Sequence, residues 1–316
     1  MTAKARTFIT VRAFVLCDAR EHHTGHGVPH GLLTQRRKDR VHSRQHTEHF
    51  MGYAPQMRHP VFFPAALSVL IVATAPAQKS YVAPFANSPV VVDGNLNDAA
   101  WHSAPWSDDF VDIEGSVRPA PRFRTRVKMA WDDEYLYIGA ELQEPHIWAT
   151  LRQRDTVIFY DNDFEVFIDP NGDTDEYYEF EMNAFNTVWD LFLDKPYRFK
   201  GKADNSWNIA GLKTAVQIHG TINNPADVDS GWTVEIAMPW KALGEFAHMP
   251  APPLNHNVWR INFSRVEWTT DIVDGWYRKV KGKPEDNWVW SPQGVVDMHW
   301  PEMWGFVRFE GHPGQR

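Results

Sequence analysis

Two acidic side chains carry the chemistry that this sequence most readily suggests. Glu165 lies in the alternating run Phe164, Val166, Ile168, and Glu181 lies in the next such run, Tyr178, Phe180, Met182, Ala184. Period-two alternation marks a strand with one buried face, which places the two glutamates on adjacent strands where they can face one another. Glycoside hydrolysis requires two carboxyl groups about 5–10 Å apart, so an O-glycosyl hydrolase is one reading of the pair. The preferred reading is that the carboxylates accept sugar hydroxyls or pair with Arg260 and Arg265. Asn183, two residues beyond Glu181, extends the same polar face.

Other residue types point to other chemistries. Asp169, Asn171, Asp173 and Asp175 alternate oxygen ligands through a Pro-Asn-Gly turn. Hard cations such as calcium take such donors, although the glycine is not where an EF-hand needs it. A solvated hairpin tip is preferred there, with structural calcium as the alternative. Trp288, Trp290, Trp300 and Trp304 put four large rings within seventeen residues. Trp290 and Trp300 have proline or serine neighbours, which favours display as a stacking platform, whereas Trp304 in the expected last strand reads as core. Met298-His299 with Met182 or His219 offers haem ligands, but adjacent strand residues point to opposite faces and cannot serve one haem. No organic cofactor is expected. Residues 78–316 contain no Ser-His-Asp signature, Gly-rich phosphate loop or zinc-type histidine spacing.

The elements that must position these groups are strands. Thr125–Met129, Leu136–Leu142, Phe164–Asp169 and Tyr178–Ala184 alternate clearly. Further strands are expected at Thr187–Leu193, Leu212–Ile218, Trp232–Met238, Val258–Trp268 and Met303–Phe309. Proline and glycine punctuate the runs, and only short helices fit, near residues 97–101 and 240–246. Many short strands without a long helical period predict an all-β chain, an antiparallel two-sheet β-sandwich, with one domain over residues 78–316.

The N-terminal region differs in kind. Residues 1–56 are rich in histidine and arginine and poor in apolar runs, the composition of a disordered or spurious extension. Met57-Arg58-His59, the apolar stretch from Val61 to Val72 and Ala75-Pro76-Ala77 together have the three parts of a secretory signal peptide, so residues 57–77 are expected to be removed. The sole cysteine, Cys17, lies upstream of that cut, which leaves no disulfide or thiol chemistry after it. Residues 1–77 carry ten Lys and Arg against four Asp and Glu, a surplus of six, so the formal −8 of the whole chain becomes −14 for residues 78–316. Such a surface repels nucleic acid and anionic lipid and suits a neutral partner or a cation. An exported protein, periplasmic or secreted, is expected, with no stable membrane insertion after cleavage.

Four ordered segments carry a family resemblance. Val92-Asp93-Gly94-Asn95-Leu96-Asn97-Asp98-Ala99-Ala100-Trp101, Trp131–Ile138, Asn162–Asp169 and Gly231–Trp240 resemble carbohydrate-binding module family 9, in the family's order, across about residues 81–310. The resemblance implies a β-sandwich that holds an oligo- or polysaccharide between two aromatic rings, serving carbohydrate catabolism, with structural calcium elsewhere. It implies that Glu165 contacts the ligand and that Phe159 takes the place of the first sandwiching ring. Met298 falls at the place of the second ring, with Trp300 and Trp290 nearby, and Glu181 falls where the family has a contacting arginine. A pyranose presents apolar C–H faces and a hydroxyl rim, which rings and polar side chains together can satisfy. Binding without hydrolysis is therefore the expectation, through Phe159, Glu165, Glu181, Asn183, Arg265, Trp290, Met298 and Trp300.

Overall fold

A computed structural model describes residues 78–315. The N-terminal extension, the signal segment and Cys17 lie outside the described residues. Fifteen strands follow in order: β1 (Ser80–Pro84), β2 (Val111–Asp112), β3 (Thr125–Trp131), β4 (Tyr135–Gln143) and β5 (Asp163–Asp169). They continue with β6 (Tyr177–Asn183), β7 (Val188–Leu193), β8 (Ala203–Asp204), β9 (Lys213–His219) and β10 (Gly231–Pro239). The last are β11 (Val258–Glu267), β12 (Thr270–Val273), β13 (Trp276–Lys279), β14 (Asp286–Val289) and β15 (Gly305–Glu310). Two short helices, α1 (Ala99–Ser103) and α2 (Trp240–Leu243), complete the α content, and none of the described helices is long and apolar enough to cross a membrane.

All the strands but β12 and β13, which pair with each other, form two facing layers. One sheet runs β1-β15-β11-β5-β6-β7-β8, with β14 joining β11 to β2, and the other runs β3-β4-β10-β9. Pairing is antiparallel except between β1 and β15, which run parallel from Ser80 opposite Phe306 to Pro84 opposite Glu310. The apolar members of the alternating runs meet between the sheets. Phe164, Val166, Ile168, Tyr178, Phe180 and Met182 pack there against Val127, Met129, Ile138, Val234 and Ile236. The expected all-β sandwich is thus the observed one.

The family motifs turn out to hold the layers in place. Glu235 on β10 accepts Trp101 Nε1 at 2.7 Å on one oxygen, and the amides of Asp93 and Gly94 at 2.8 Å each on the other. The Val92–Trp101 segment is thereby tied across the four-stranded sheet, above Ala130, Tyr137 and Ala237. Asp132 accepts the amides of Glu134 and Tyr135 at 2.8 Å, which closes the turn between β3 and β4.

The larger sheet is covered on both faces. Beyond the sandwich core, its outer face carries Phe167, Tyr177, Trp189, Leu191 and Leu193, packed under Ile113, Ile158, Met298 and Trp304 from the loops. Every residue of β5 and β6 is consequently buried, including the charged ones that alternation puts on the outer face.

Candidate functional site

Asp163 and Glu165 on β5 and Glu179 and Glu181 on β6 all fall on that covered outer face, at 0, 4, 6 and 1 % exposure. Antiparallel register sets Glu165 directly opposite Glu181 on one side and opposite Ser264 of β11 on the other. Oxygens of Asp163, Glu165 and Glu181 all come within 4.8 Å of one another. The amide of Phe159 donates to Glu181 Oε2 at 3.0 Å, and the amide of Val266 donates to Asp163 Oδ1 at 3.0 Å.

No lysine or arginine among the described residues pairs with these four groups; His299 Nε2, 3.9 Å from Glu179, is the nearest basic atom. Burial pushes the His299 imidazole down to about 3, so it is neutral near pH 7, with Nδ1 against the Tyr177 hydroxyl at 3.0 Å. Burial also raises every carboxyl: Glu165 to about 7 and Glu179 to about 8. Asp163 and Glu181 rise well above the usual range, through burial first and then through neighbouring carboxylates, with Glu165 foremost.

A second, exposed arrangement lies beside the first. β12 and β13 form a hairpin whose tip residues, Asp274 (φ 53°) and Gly275 (φ 77°), both take positive φ, as two-residue primed turns require. The turn holds out Trp276, which is 59 % exposed. With Trp148, Thr150, Phe185, Asn223 and Tyr277 it lines a cleft of about 210 Å³. Close to Trp148, at 5.6 Å from its ring centroid, Lys279 Nζ sits 3.4 Å from the Trp268 ring centroid and 5.7 Å from that of Tyr160, itself well exposed. Phe159 joins the two arrangements, because its amide serves Glu181 while its carbonyl accepts Trp268 Nε1 at 2.9 Å. A larger cleft, about 480 Å³, lies on the four-stranded sheet, but its rings are the small imidazole of His219 and Trp232, which is buried.

The residues expected from the sequence divide between several places. Phe159 is half-buried beside Tyr160, with ring centroids 4.9 Å apart. Trp290 is not displayed: it is 1 % exposed and packs against Tyr81 and Phe263 inside the sandwich. Its serine and proline neighbours mislead because Asn262 clamps Ser291 through both its amide and its carbonyl, at 2.9 Å each, which draws the chain onto the sheet. Met298 is buried with Trp304, whose Nε1 donates to the Met298 carbonyl at 2.9 Å. Trp304 is core as expected, though it immediately precedes the last strand instead of lying in it. Trp300 is half-buried, its ring 4.8 Å from the Arg198 guanidinium.

Asn183 spends its amide on local structure, donating to Leu151 and Asp161 and accepting from Phe185 and Thr187. Arg265 is fully buried on the inner side, held by Glu144 at 3.2 Å and Glu267 at 2.8 Å, and so lies apart from the carboxyl cluster. Asp169 accepts the amides of Gly172 and Thr174, Asn171 accepts that of Asp173, and Asp173 accepts that of Asp175, so the oxygens of this turn serve its own backbone. Of the haem candidates, Met182 lies between the sheets and His219 is exposed on β9, so neither meets Met298 and His299 in the outer layer.

The sequence signal for the exposed platform was present but unused. Asp274-Gly275 between Thr270–Val273 and Trp276–Lys279 is a hairpin signature, and it puts Trp276 at a strand start next to a tight turn, where side chains project into solvent.

Comparison with known proteins agrees with this architecture. The chain is 29 % identical over 174 residues to the exoglucanase XynX of Acetivibrio thermocellus, covering 55 % of this chain and 13 % of that protein. It is 27 % identical over 154 residues to endo-1,4-beta-xylanase A of Thermoanaerobacterium saccharolyticum, covering 48 % and 11 %. The match thus spans only about an eighth of these long enzymes. Among solved structures, a candidate carbohydrate-binding protein of Bacteroides uniformis has the same fold, with TM-score 0.55 at 16 % identity, over 74 % of this chain and 100 % of the other. Residues 92–258, more than half of the chain, match the model of the carbohydrate family 9 binding domain-like family, and the chain belongs to that family.

Proposed function

We propose that this chain is an exported carbohydrate-binding protein that holds an oligo- or polysaccharide on exposed aromatic rings and serves carbohydrate catabolism without cleaving the sugar itself. The observation that carries the reading is the ring-lined cleft of about 210 Å³ around Trp276 and Trp148, with Asn223 and Arg278 at its edge. A pyranose face stacks on such a ring while side-chain amides and guanidinium groups meet its hydroxyls. Glu165 and Glu181, both nearly fully buried, do not line this cleft, which leaves them without access to a glycosidic bond there. Export is supported by the signal-like segment at residues 57–77 and by similarity to segments of a xylanase and an exoglucanase.

A glycan array probed with the purified chain, followed by calorimetry on the best hit, tests the proposal. Saturable binding of a saccharide, weakened in Trp276→Ala, supports it. Sustained release of reducing sugar that is lost in Glu165→Gln replaces binding by hydrolysis as the function.

A further inference from the structure

We infer that Asp163, Glu165 and Glu181 form a binding site for one hard divalent cation, calcium by ligand type, on the covered outer face of the larger sheet. The three offer oxygens within 4.8 Å of one another. Calcium–oxygen distances of about 2.3–2.6 Å place ligands on opposite sides of one ion about 5 Å apart, so three such oxygens can share it. The ligand set is carboxylate only, which suits a hard ion and not zinc or copper.

Two further atoms point at the same place. Asp163 Oδ2 is buried without a hydrogen-bond partner, although its other oxygen takes the Val266 amide. Ser264 Oγ is likewise buried without a well-aligned partner, and it faces the carboxyl of Glu165 directly opposite across the β5–β11 ladder. Directly opposed residues bring their Cβ atoms within about 5.5 Å, so the hydroxyl lies beside the carboxyl cluster. A buried polar atom without a well-aligned partner is costly, and one such atom within the acidic trio and another facing it are what an ion would satisfy.

Charge leads to the same conclusion. Glu179 adds a fourth carboxyl on this face, and the nearest bases are neutral His299 and Lys279, which is engaged with the Trp268 ring. Buried carboxylates are stable when they are paired, metal-bound or protonated. The turn at Asp169–Asp175 offers no comparable set, since its oxygens already serve backbone amides.

The test uses the full chain stripped with a chelator, then titrated with calcium alone, so its result does not depend on sugar binding. One ion per chain is expected, with a rise in melting temperature of about 5–10 °C at a hundredfold excess over the Kd. Asp163→Asn and Glu181→Gln should abolish the shift, Ser264→Ala should weaken calcium binding by about tenfold, and Asp173→Asn should leave it intact. If the acidic variants fail to fold, terbium luminescence on the wild-type chain, displaced by calcium and reduced in Ser264→Ala, reads the same site. No calcium, magnesium or manganese binding at about 1 mM, the weak end of protein sites, overturns the inference. Calcium binding lost in Asp173→Asn but kept in Asp163→Asn overturns it equally.

Discussion

Glu165 of β5 and Glu181 of β6 lie directly opposite one another in register, two buried carboxyl groups face to face with no cationic side chain between them. Like charges in this position destabilise a sheet, so the ionised pair strains the fold that creates it.

This strain sets a pH dependence. Glu165 and Glu179 are raised to about 7 and 8 from an ordinary 4.5, so between about pH 4.5 and 8 the folded chain binds more protons than the unfolded one. Their contribution to stability is therefore present at low pH and lost as pH rises through that window. His299, lowered to about 3, works the other way but only between about pH 3 and 6.5. The chelated protein should melt on the order of 5 °C higher at pH 6 than at pH 8. A melting temperature that climbs over this interval would show the carboxyls to be compensated.

Trp276 and Trp290 should separate binding from folding. Trp276→Ala should weaken saccharide binding by about 1–2 kcal/mol, roughly five- to thirtyfold, with an unchanged melting temperature. Trp290→Ala removes a ring sealed between the sheets and should cost about 3–5 kcal/mol of stability. Calorimetry and thermal denaturation of the two variants, compared side by side, check the assignment.

Arg265 offers a third separation. Removing its guanidinium leaves Glu144 and Glu267 buried without their shared cation, so Arg265→Ala should destabilise the fold by about 3–5 kcal/mol. Any folded fraction should bind saccharide with unchanged affinity, because Arg265 is fully buried and does not line the ring-lined cleft. A loss of affinity at full stability would return Arg265 to the sugar site.

A fourth expectation concerns Gly305, whose α-carbon lies against the Trp290 ring. A methyl group there collides with the indole, so Gly305→Ala should cost about 1–3 kcal/mol through displaced core packing. Denaturant melts of this variant should show a lower midpoint with the slope unchanged.

The strands were legible because each pairs an apolar face with a polar one, as Val127 and Met129 do beside Arg126 and Lys128. The opposition of Glu165 and Glu181 was legible for the same reason, since successive alternating runs joined by a turn pair antiparallel. What alternation cannot reveal is a second cover: the loops carrying Ile158, Met298 and Trp304 bury the polar face of β5 and β6 as fully as the apolar one. Trp290 was misplaced because its burial depends on Asn262, nearly thirty residues away, gripping Ser291. The β12–β13 hairpin went unread because only Ile272, Val273, Trp276 and Tyr277 supply its pattern, too short a run to register as alternation.

The parallel pairing of β1 with β15 has a kinetic consequence. Tyr81 is among the first described residues, yet its ladder partner is Val307, more than two hundred residues later. Until the β15 segment has been synthesised, β1 has no template, and the neighbouring β11 edge also stays open where β15 will dock. Closing so long a loop is slow, so the sandwich should fold late and all at once, with an unprotected apolar edge beforehand. The waiting period, more than the finished structure, is where this chain is vulnerable to aggregation.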